Sequence, residues 1–272
     1  ILYRGPEMCS PGFIVCHSYG LEFLTLRRLE RAIARKLASI GHPVLAFHGR
    51  GYGDSTGSLQ DATLESHVDD IVAAAEVLGA ETVVGGLGLI GARFGGLVAG
   101  LAARRAGAER LILVSPAVAG GSYFRSMIRQ FTVVRLASAD NSGPGSLDQQ
   151  LAALRRDGVI DVLGHALYRP MFEAASAVDL AADMSGFSGD ALIVQVSKLG
   201  RIGREIEGLR GAVERAGGRA RVDHVLEPPG ASFGGPAFVS VDGSTRRVDV
   251  QWPIVAGVLT LVEEWMNREE GG

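Results

Sequence analysis

Cysteine is scarce in this chain. Only two occur in 272 residues, Cys9 and Cys16, and they lie close together. Such a pair cannot form the framework of several disulfides that stabilises small secreted domains, so we expect a protein of a reducing compartment, the cytoplasm. The first residue is Ile1 rather than Met, so the sequence leaves a removed leader segment open.

Charge of one sign and long apolar runs are lacking as well. The formal net charge is -3, which gives no basic footprint of the kind that binds nucleic acid. Arg, Asp or Glu interrupts every apolar stretch before it reaches the length of a membrane span. We therefore expect neither a nucleic-acid partner nor a membrane span, and the sequence predicts no cofactor and no metal.

The chain instead has the composition of a globular protein, with 47% hydrophobic and 21% charged residues. Its length is sufficient for one large α/β domain with a good core. Short apolar runs alternate with amphipathic stretches along the first half of the sequence. They predict strands over residues 12–17, 43–47, 83–90 and 110–115, and helices over residues 26–40 and 67–78. This alternation predicts a mostly parallel sheet with helices on both faces, which binds ligands beyond the carboxyl ends of its strands.

The pattern changes after residue 119. Helical pieces such as residues 147–156 are joined by loops, including residues 141–145, and no strand is predicted before residues 191–196. We interpret residues 120–189 as an inserted helical cap. It would divide a core domain into a first part over residues 1–119 and a second part over residues 190–272.

The second part of the predicted core repeats the earlier alternation. It is expected to hold a helix over residues 202–216, a strand over 221–226, a loop over 228–246 and a closing helix over 253–266.

Residues 91–96 (GARFGG) stand between a predicted strand and a helical run of small residues. Strand, sharp turn and helix form the context of a nucleophile elbow, in which G-x-S-x-G presents a serine above the sheet. The middle residue here is Arg93, which stays protonated and cannot be an attacking nucleophile. A buried charge needs a partner, so two interpretations stay open. Arg93 forms a structural pair with Glu22, or it binds a carboxylate or phosphate of a ligand in a forked, bidentate way.

A second segment carries a resemblance to a known superfamily. Residues 48–57 (HGRGYGDSTG) are similar to the D-x-R-G-x-G-x-S-x-G loop of the α/β-hydrolases, with His48 where Asp is usual. Together with the elbow, this loop makes the chain resemble that superfamily over most of its length. The resemblance implies the α/β-hydrolase fold and a hydrolase-like activity on a small acyl or ester-like molecule.

Within that superfamily the chain resembles the hydrolase-like proteins associated with bacterial exosortase systems. That group combines an elbow of the form G-x-R-x-G with a proline- and acid-bearing loop after the first central strand. Its loop corresponds here to residues 17–22, with Arg27 and Arg28 following. Residues 158–180 and 236–238 are also similar. The departures are Gly20 and Leu21 in the acidic loop and Val239 where an aromatic residue is expected.

The three positions of a Ser-His-Asp triad hold other residues. Arg93 replaces the serine, the segment after the strand at 191–196 reads SKLGR without an acid, and residues 228–235 contain no histidine. Loss of a whole triad costs on the order of a millionfold in turnover. Conventional serine-esterase activity is therefore disfavoured, and whether the chain is an enzyme stays open.

One literal match to the nucleophile motif has the wrong context. Residues 230–234 read GASFG, but prolines precede and follow them, so no strand–turn–helix is expected there. We interpret Ser232 as part of a loop near the pocket mouth.

The candidate site residues lie at the carboxyl ends of the predicted strands. We predict Arg93, His17 and His48 as catalytic residues, in which Arg93 orients an anionic group and a histidine moves protons. His17 and Ser18 occupy the place of the superfamily's oxyanion loop. The alternative for His17 and His48 is a histidine satisfied by local hydrogen bonds. The predicted ligand-binding residues are Ser18, Tyr19, Glu22, Phe94, Ser115 and Ser232.

Two hypotheses of function follow from these residues. The first is an enzyme that acts on a small acyl or ester-like molecule by a route without a triad. The second is a non-catalytic descendant of the hydrolase fold that binds a small molecule or a partner protein. Fold alone does not decide between them, because function depends on the site.

Overall fold

The computed structural model describes residues 1–5, 11–137, 146–229, 231–235, 238–240, 247–249 and 251–269. Cys9, residues 141–145, Gly230, and the pair Pro236 and Ala237, all of which entered the sequence analysis, lie outside the described residues.

The described strands form one large sheet and two small ones. In chain order they are β1 (Leu2–Tyr3), β2 (Gly12–Cys16), β3 (Val44–Ala46), β4 (Leu87–Ala92), β5 (Arg110–Val114), β6 (Val159–Asp161), β7 (Ala166–Tyr168), β8 (Asp190–Ser197), β9 (Arg219–Leu226), β10 (Phe238–Ser240) and β11 (Arg247–Asp249). The large sheet has the order β1-β3-β2-β4-β5-β8-β9. All its neighbours pair in parallel except β1 and β3, which pair antiparallel. The predicted mostly parallel α/β sheet is confirmed.

Helices cover both faces of this sheet. They are α1 (Leu21–Thr25), α2 (Arg27–Ser39), α3 (Leu64–Glu81), α4 (Phe94–Ala106), α5 (Gly120–Ala137), α6 (Leu147–Asp157), α7 (Arg169–Ser176), α8 (Leu180–Asp183), α9 (Arg204–Arg215) and α10 (Trp252–Glu269). Helices α2 and α10 pack on one face, and α3, α4 and α9 pack on the other. Along β2 the side chains alternate between the two faces, as a period of two requires. Ile14 and Cys16 lie towards α3 and α4, whereas Phe13 and Val15 lie towards α2.

Helix α3 illustrates how sequence signals set an element's start. Thr63 accepts a hydrogen bond from the Ser66 backbone at 3.1 Å, and the Ser66 hydroxyl accepts one from the Thr63 backbone at 2.9 Å. This reciprocal capping box satisfies amides that the first helical turn leaves without partners. The helix begins at Leu64, three residues before the predicted start at His67.

Three predictions about local structure are wrong. Residues 159–168 contain a β-hairpin, β6 with β7, where no strand was predicted. Strands of three residues are too short to show alternation, and the turn between them lacks the usual Asn-Gly or Asp-Gly signal. Residues 21–25 form the short helix α1 where a loop was predicted, and residues 238–240 form β10 inside a predicted loop.

Elements α5 to α8 and the β6–β7 hairpin all lie between β5 and β8. Two parts of the chain near the ends of this segment are bonded to each other, because Leu180 N donates to Val118 O at 2.8 Å and Ala119 pairs with Asp179 in an antiparallel bridge. The division into a core and a cap over residues 120–189 stays a prediction.

Candidate functional site

Arg93 lies at the sharp turn between β4 and α4, with φ 52° and ψ -119°. A positive φ strains a non-glycine residue, and such strain persists only where the surroundings enforce it. The surroundings here are backbone atoms in close approach. A Cβ on Gly95 would lie 2.1 Å from the carbonyl oxygen of Cys16, and one on Gly91 would lie 2.3 Å from that of Gly95. The Arg93 amide also donates to the carbonyl of Val114 at 3.0 Å, so the turn is held from both sides.

The Arg93 side chain forms an ion pair with Glu22 of α1. Its Nε donates to Glu22 Oε1 at 3.1 Å, and the Tyr123 hydroxyl donates to Glu22 Oε2 at 2.8 Å. The guanidinium carbon lies 5.4 Å from the centroid of the Tyr123 ring, within the range of a cation–π contact. The side chains of Arg93 and Glu22 are 29% and 14% exposed. Within the described part of the chain, the two Nη atoms of Arg93 have no hydrogen-bond partner.

The surroundings of Arg93 and Tyr123 shift the pKa values of both side chains upwards. Burial is the largest single effect and lowers the pKa of Arg93, but Glu22, Tyr123 and Glu227 together outweigh it, and the pKa stands above its ordinary value. Burial and the neighbouring Glu22 charge raise the pKa of Tyr123 well above 10. Arg93 therefore stays cationic, and the Tyr123 hydroxyl keeps the proton that it donates to Glu22.

A cavity of about 540 Å³ opens onto Arg93 and Glu22. Its walls are mainly apolar, and the residues that form them are Tyr19, Leu21, Met127, Val162, Leu163 and Phe233. Among the described residues, four further polar side chains line it, those of Arg129, Gln130, His165 and Ser232. This volume and this mixture of apolar walls with a few polar groups are typical of sites for small molecules.

The β6–β7 hairpin borders the cavity and is attached to the loop after β2. The Tyr19 hydroxyl donates to the carbonyl of Ala166 at 2.8 Å. A Cβ on Gly20 would lie 3.8 Å from the Cβ of His165, so the two segments are in van der Waals contact. The hairpin is thereby held in a defined position relative to the floor of the cavity.

His17 and His48 line a different cleft, of about 430 Å³. His17 Nδ1 lies 2.5 Å from Oε2 of Glu30, a carboxylate of α2 that is 2% exposed. The rings of His17 and His48 are 5.8 Å apart between centroids. His17 continues the alternation of Phe13 and Val15, and this sends its side chain to the α2 face. The structure thus brings the two histidines together and does not bring them to the cavity at Arg93.

His48 has a lowered pKa. Burial is the main cause, and the nearby His17 adds to it. Both effects disfavour the imidazolium form, so His48 is neutral over a wider pH range than an exposed histidine.

Ser18 and Ser115 hold the backbone around the turn. The Ser18 hydroxyl donates to the carbonyl of Ala92 at 2.5 Å and accepts from the amide of Gly95 at 3.4 Å. Ser115, with φ 42°, accepts from the amide of Val196 at 2.8 Å and so joins the ends of β5 and β8. Both serines are buried, and their hydroxyls are engaged by the protein itself.

Of the remaining predicted binding residues, Phe94 is buried and Ser232 is exposed. Phe94 is completely buried and contacts the ring of Tyr19 at 5.6 Å between centroids, beneath the cavity wall. Ser232 is exposed and lines the cavity mouth, in a loop that contacts α1. That contact includes a hydrogen bond of 2.5 Å from the Thr25 hydroxyl to the carbonyl of Gly234.

Four residues that sequence reasoning did not select also contribute to the site. Tyr123, Arg129 and His165 come from the segment after β5, where no motif indicated which side chains face the cavity. Glu227 follows β9, where a triad histidine would stand; its carboxylate accepts a hydrogen bond of 2.6 Å from the amide of Phe233 and supports the charge of Arg93. The sequence could have indicated Glu227 as a site residue, because it directly follows the carboxyl end of a strand.

The described residues contain neither a metal-binding cluster nor a membrane-spanning helix. No group of three or more His, Cys, Asp or Glu side chains could hold a metal ion in that part of the chain. Among the same residues, no helix combines the length and the apolar character needed to cross a bilayer.

Comparison with known proteins matches residues 13–157 to the family described as serine aminopeptidase, S33. A search of curated proteins found no match. Among solved structures, Est1E from Butyrivibrio proteoclasticus with bound ferulic acid superposes with a TM-score of 0.65 at 19% identity, covering 100% of this chain and 95% of that one.

Two further solved structures are also similar. A serine hydrolase homologue from Coxiella burnetii gives a TM-score of 0.55 at 15% identity, with 97% of this chain and 89% of that one covered. A thermophilic esterase from Thermogutta terrifontis, with malate bound, gives 0.54 at 17% identity, with 97% and 91% covered. At these identities the likeness concerns the fold.

Proposed function

Because the chain belongs to the serine aminopeptidase S33 family of α/β-hydrolases, we propose that it acts on a small acyl or ester-like molecule by a route that uses no Ser-His-Asp triad. The observation that carries the proposal is the cavity of about 540 Å³ with Arg93 at the turn between β4 and α4. In this proposal the turn is the nucleophile elbow of the family, with arginine in the place of serine.

Arg93 in this proposal orients the substrate and stabilises its developing charge. Its Nε is bound by Glu22, which leaves the two Nη groups, without partners in the described residues, to donate to an acyl oxygen or to an anionic group. Glu22 and Tyr123 hold the guanidinium in one orientation before the ligand arrives. Donors that are placed in advance stabilise charge more than donors in solution do, because they need not reorient during the reaction.

Proton transfer requires a group within reach of the substrate. His17 and His48 were the sequence-based candidates, but they line the other cleft. His165 lines the cavity at Arg93, so we propose it as the residue that moves a proton in this pocket. Both oxygens of Glu22 already accept hydrogen bonds, which makes that carboxylate a weaker candidate.

A second candidate function is favoured by a specific observation. Arg93, Glu22 and Tyr123 form a connected set of hydrogen bonds around the turn, with no activated nucleophile among them. In this alternative the chain is a non-catalytic descendant that binds a small molecule or a partner protein at the same pocket.

We also propose a family group, a cap and a cellular location for the chain. The G-x-R-x-G turn supports membership of the bacterial exosortase-associated group. Residues 120–189 would act as the cap over the pocket, since His165 and Met127 line it from that segment. The low cysteine content supports a cytoplasmic location.

The test combines an active-site probe with a substrate panel. A fluorophosphonate, which traps activated serines, should not label the wild-type protein, and Arg93→Ser should not become a substantial esterase, because a serine without a base is a weak nucleophile. Small acyl esters and thioesters are then incubated with the wild type, Arg93→Met and the surface control Leu199→Asn, and products are followed by mass spectrometry.

Each outcome of this test separates the candidates. Turnover by the wild type and the control, lost in Arg93→Met, supports the enzyme. Binding without turnover supports the second candidate. Stoichiometric labelling of any serine, or robust turnover by Arg93→Ser, would refute the route without a triad. Neither binding nor turnover by the wild type would refute both candidates.

A further inference from the structure

The tip of the β6–β7 hairpin carries an unusual residue. Val162 and His165 exchange two backbone hydrogen bonds, of 2.7 and 3.2 Å, which leaves Leu163 and Gly164 as a two-residue turn. Both have positive φ, 52° for Leu163 and 77° for Gly164, the arrangement of a type I′ turn. The first position of such turns is usually Asn, Asp or Gly, because a left-handed conformation strains a branched side chain such as leucine.

Packing within the protein does not explain this leucine. Leu163 is 39% exposed, so it is not held in place by a core that needs it. It does line the cavity that Arg93 lines, and the bond from Tyr19 to Ala166 holds the hairpin against the loop after β2. The backbone strain at Leu163 is therefore not explained by packing in the core. Because Leu163 lines the cavity, this strain points to a contact between its side chain and a ligand in the cavity.

The charges around the cavity restrict what can enter. Among the described residues, Arg93, Arg129 and Glu22 line the cavity, and the carboxylates of Glu22 and Glu227 both act on the charge of Arg93. Arg93 carries a single positive charge, so a ligand with one negative charge can use its Nη groups at a small electrostatic cost. A dianion would be repelled by the two carboxylates, and a neutral ligand would gain no ionic hydrogen bond.

We propose that the cavity selects amphipathic monocarboxylates. The carboxylate binds the Nη groups of Arg93, and the apolar chain lies against Leu163, Met127 and Phe233. This rests on the proposed function and names its ligand class. Leu163 is a specificity residue, kept in a strained conformation because its side chain contacts the apolar part of the ligand.

Calorimetry with three probes of equal chain length tests the charge selection. At pH 8, octanoate should bind the wild-type protein at least about tenfold more tightly than neutral 1-octanol, since its carboxylate can form ionic hydrogen bonds with Arg93 that a hydroxyl cannot form. Octyl phosphate, a dianion at this pH, should bind more weakly than octanoate. Equal or tighter binding of 1-octanol or octyl phosphate would overturn the proposal.

The variant Leu163→Asn tests the specificity role. Asparagine adopts the left-handed conformation more readily, so the midpoint of thermal unfolding should stay the same or rise. Octanoate affinity should nevertheless fall by about tenfold, because the apolar contact is lost. The control Leu199→Asn replaces an exposed leucine that does not line the cavity and should leave octanoate affinity unchanged.

The results separate this inference from the function on which it rests. Unchanged octanoate affinity in Leu163→Asn overturns the role of Leu163. If the wild type turns over acyl esters but shows no preference for octanoate, the ligand class is wrong and the proposed function stands. If none of the probes and none of the esters binds, both are wrong.

Discussion

Two pairs of polar side chains follow the same central strand, β2, and they differ in what surrounds them. Arg93 and Glu22 border a cavity, and both oxygens of Glu22 accept hydrogen bonds, while the Nη groups of Arg93 have no hydrogen-bond partner among the described residues. His17 and Glu30 are more deeply placed, with side chains 16% and 2% exposed, and Glu30 Oε1 is buried without a partner in the described residues. The first pair can gain a ligand contact without being broken, whereas the second is mainly a structural link between β2 and α2.

The difference shows that a position at a strand end does not by itself place a side chain in the site. His17 and Ser18 are consecutive, yet the alternation of β2 sends one to the α2 face and the other to the backbone of the Arg93 turn. Which face of the sheet a residue takes decides which of the two clusters it joins.

Breaking the more buried pair should have the largest effect. His17→Ala leaves the Glu30 carboxylate buried without a partner and should lower the free energy of unfolding by about 3–5 kcal/mol. The double variant with Glu30→Gln should lose clearly less than the sum of the single changes, since the stranded charge is removed. Urea denaturation of the two single variants and the double variant measures this, and additive losses would contradict the structural link.

The pair at the cavity should respond less strongly. Arg93→Met and Glu22→Gln should each cost about 2–3 kcal/mol, below the value for a fully buried pair because water reaches Arg93. The double variant should again lose less than the sum. The control Arg210→Met breaks an exposed pair with Glu207 and should change stability by about 0–1 kcal/mol.

The same series distinguishes the two interpretations of Arg93. If Arg93→Met leaves stability unchanged or raises it, folding does not need the arginine. The structural interpretation then fails, and loss of octanoate binding in that variant becomes the expected signature of its role.

The smallest expected effect is a change in how the stability of the fold depends on pH. His48 has a lowered pKa in the folded protein, so between the ordinary histidine pKa of about 6.5 and the lower folded value the unfolded chain binds more protons. Stability is therefore fully present above pH 6.5 and decreases as the pH falls. His48→Asn should flatten this decrease without abolishing it, because burial also lowers the pKa of His67. A decrease of equal slope in the variant would show that His48 does not contribute.

Much of the core could be predicted because its signals are local. The apolar run of β2, the amphipathic pattern of α2 and the glycines around Arg93 each point to one structure. The pair between Arg93 and Glu22 could be anticipated from their positions after neighbouring strands and from the cost of a lone buried charge.

The rest of the site depends on geometry that the sequence does not show. Tyr123 bonds to Glu22 only because α5 packs over the turn, and no motif marks it. The hairpin was not predicted because Leu163 stands at a turn position where Asn, Asp or Gly is the usual signal. The separation of His17 from Arg93 follows from side-chain direction at the end of β2, which a list of strand ends does not contain.

The backbone around Arg93 makes residue 93 an exchangeable position. Its φ of 52° costs on the order of 1–3 kcal/mol for any residue other than glycine. The strained conformation persists because the backbone at Gly91 and Gly95 packs closely against its neighbours and enforces it. The scaffold thus determines where the Cβ of residue 93 stands, independently of the group attached to it. A new reactive side chain can be introduced there by one substitution, with no rebuilding of strand or helix. Evolution or a protein engineer can therefore vary the chemistry of this turn while the architecture that presents it stays the same.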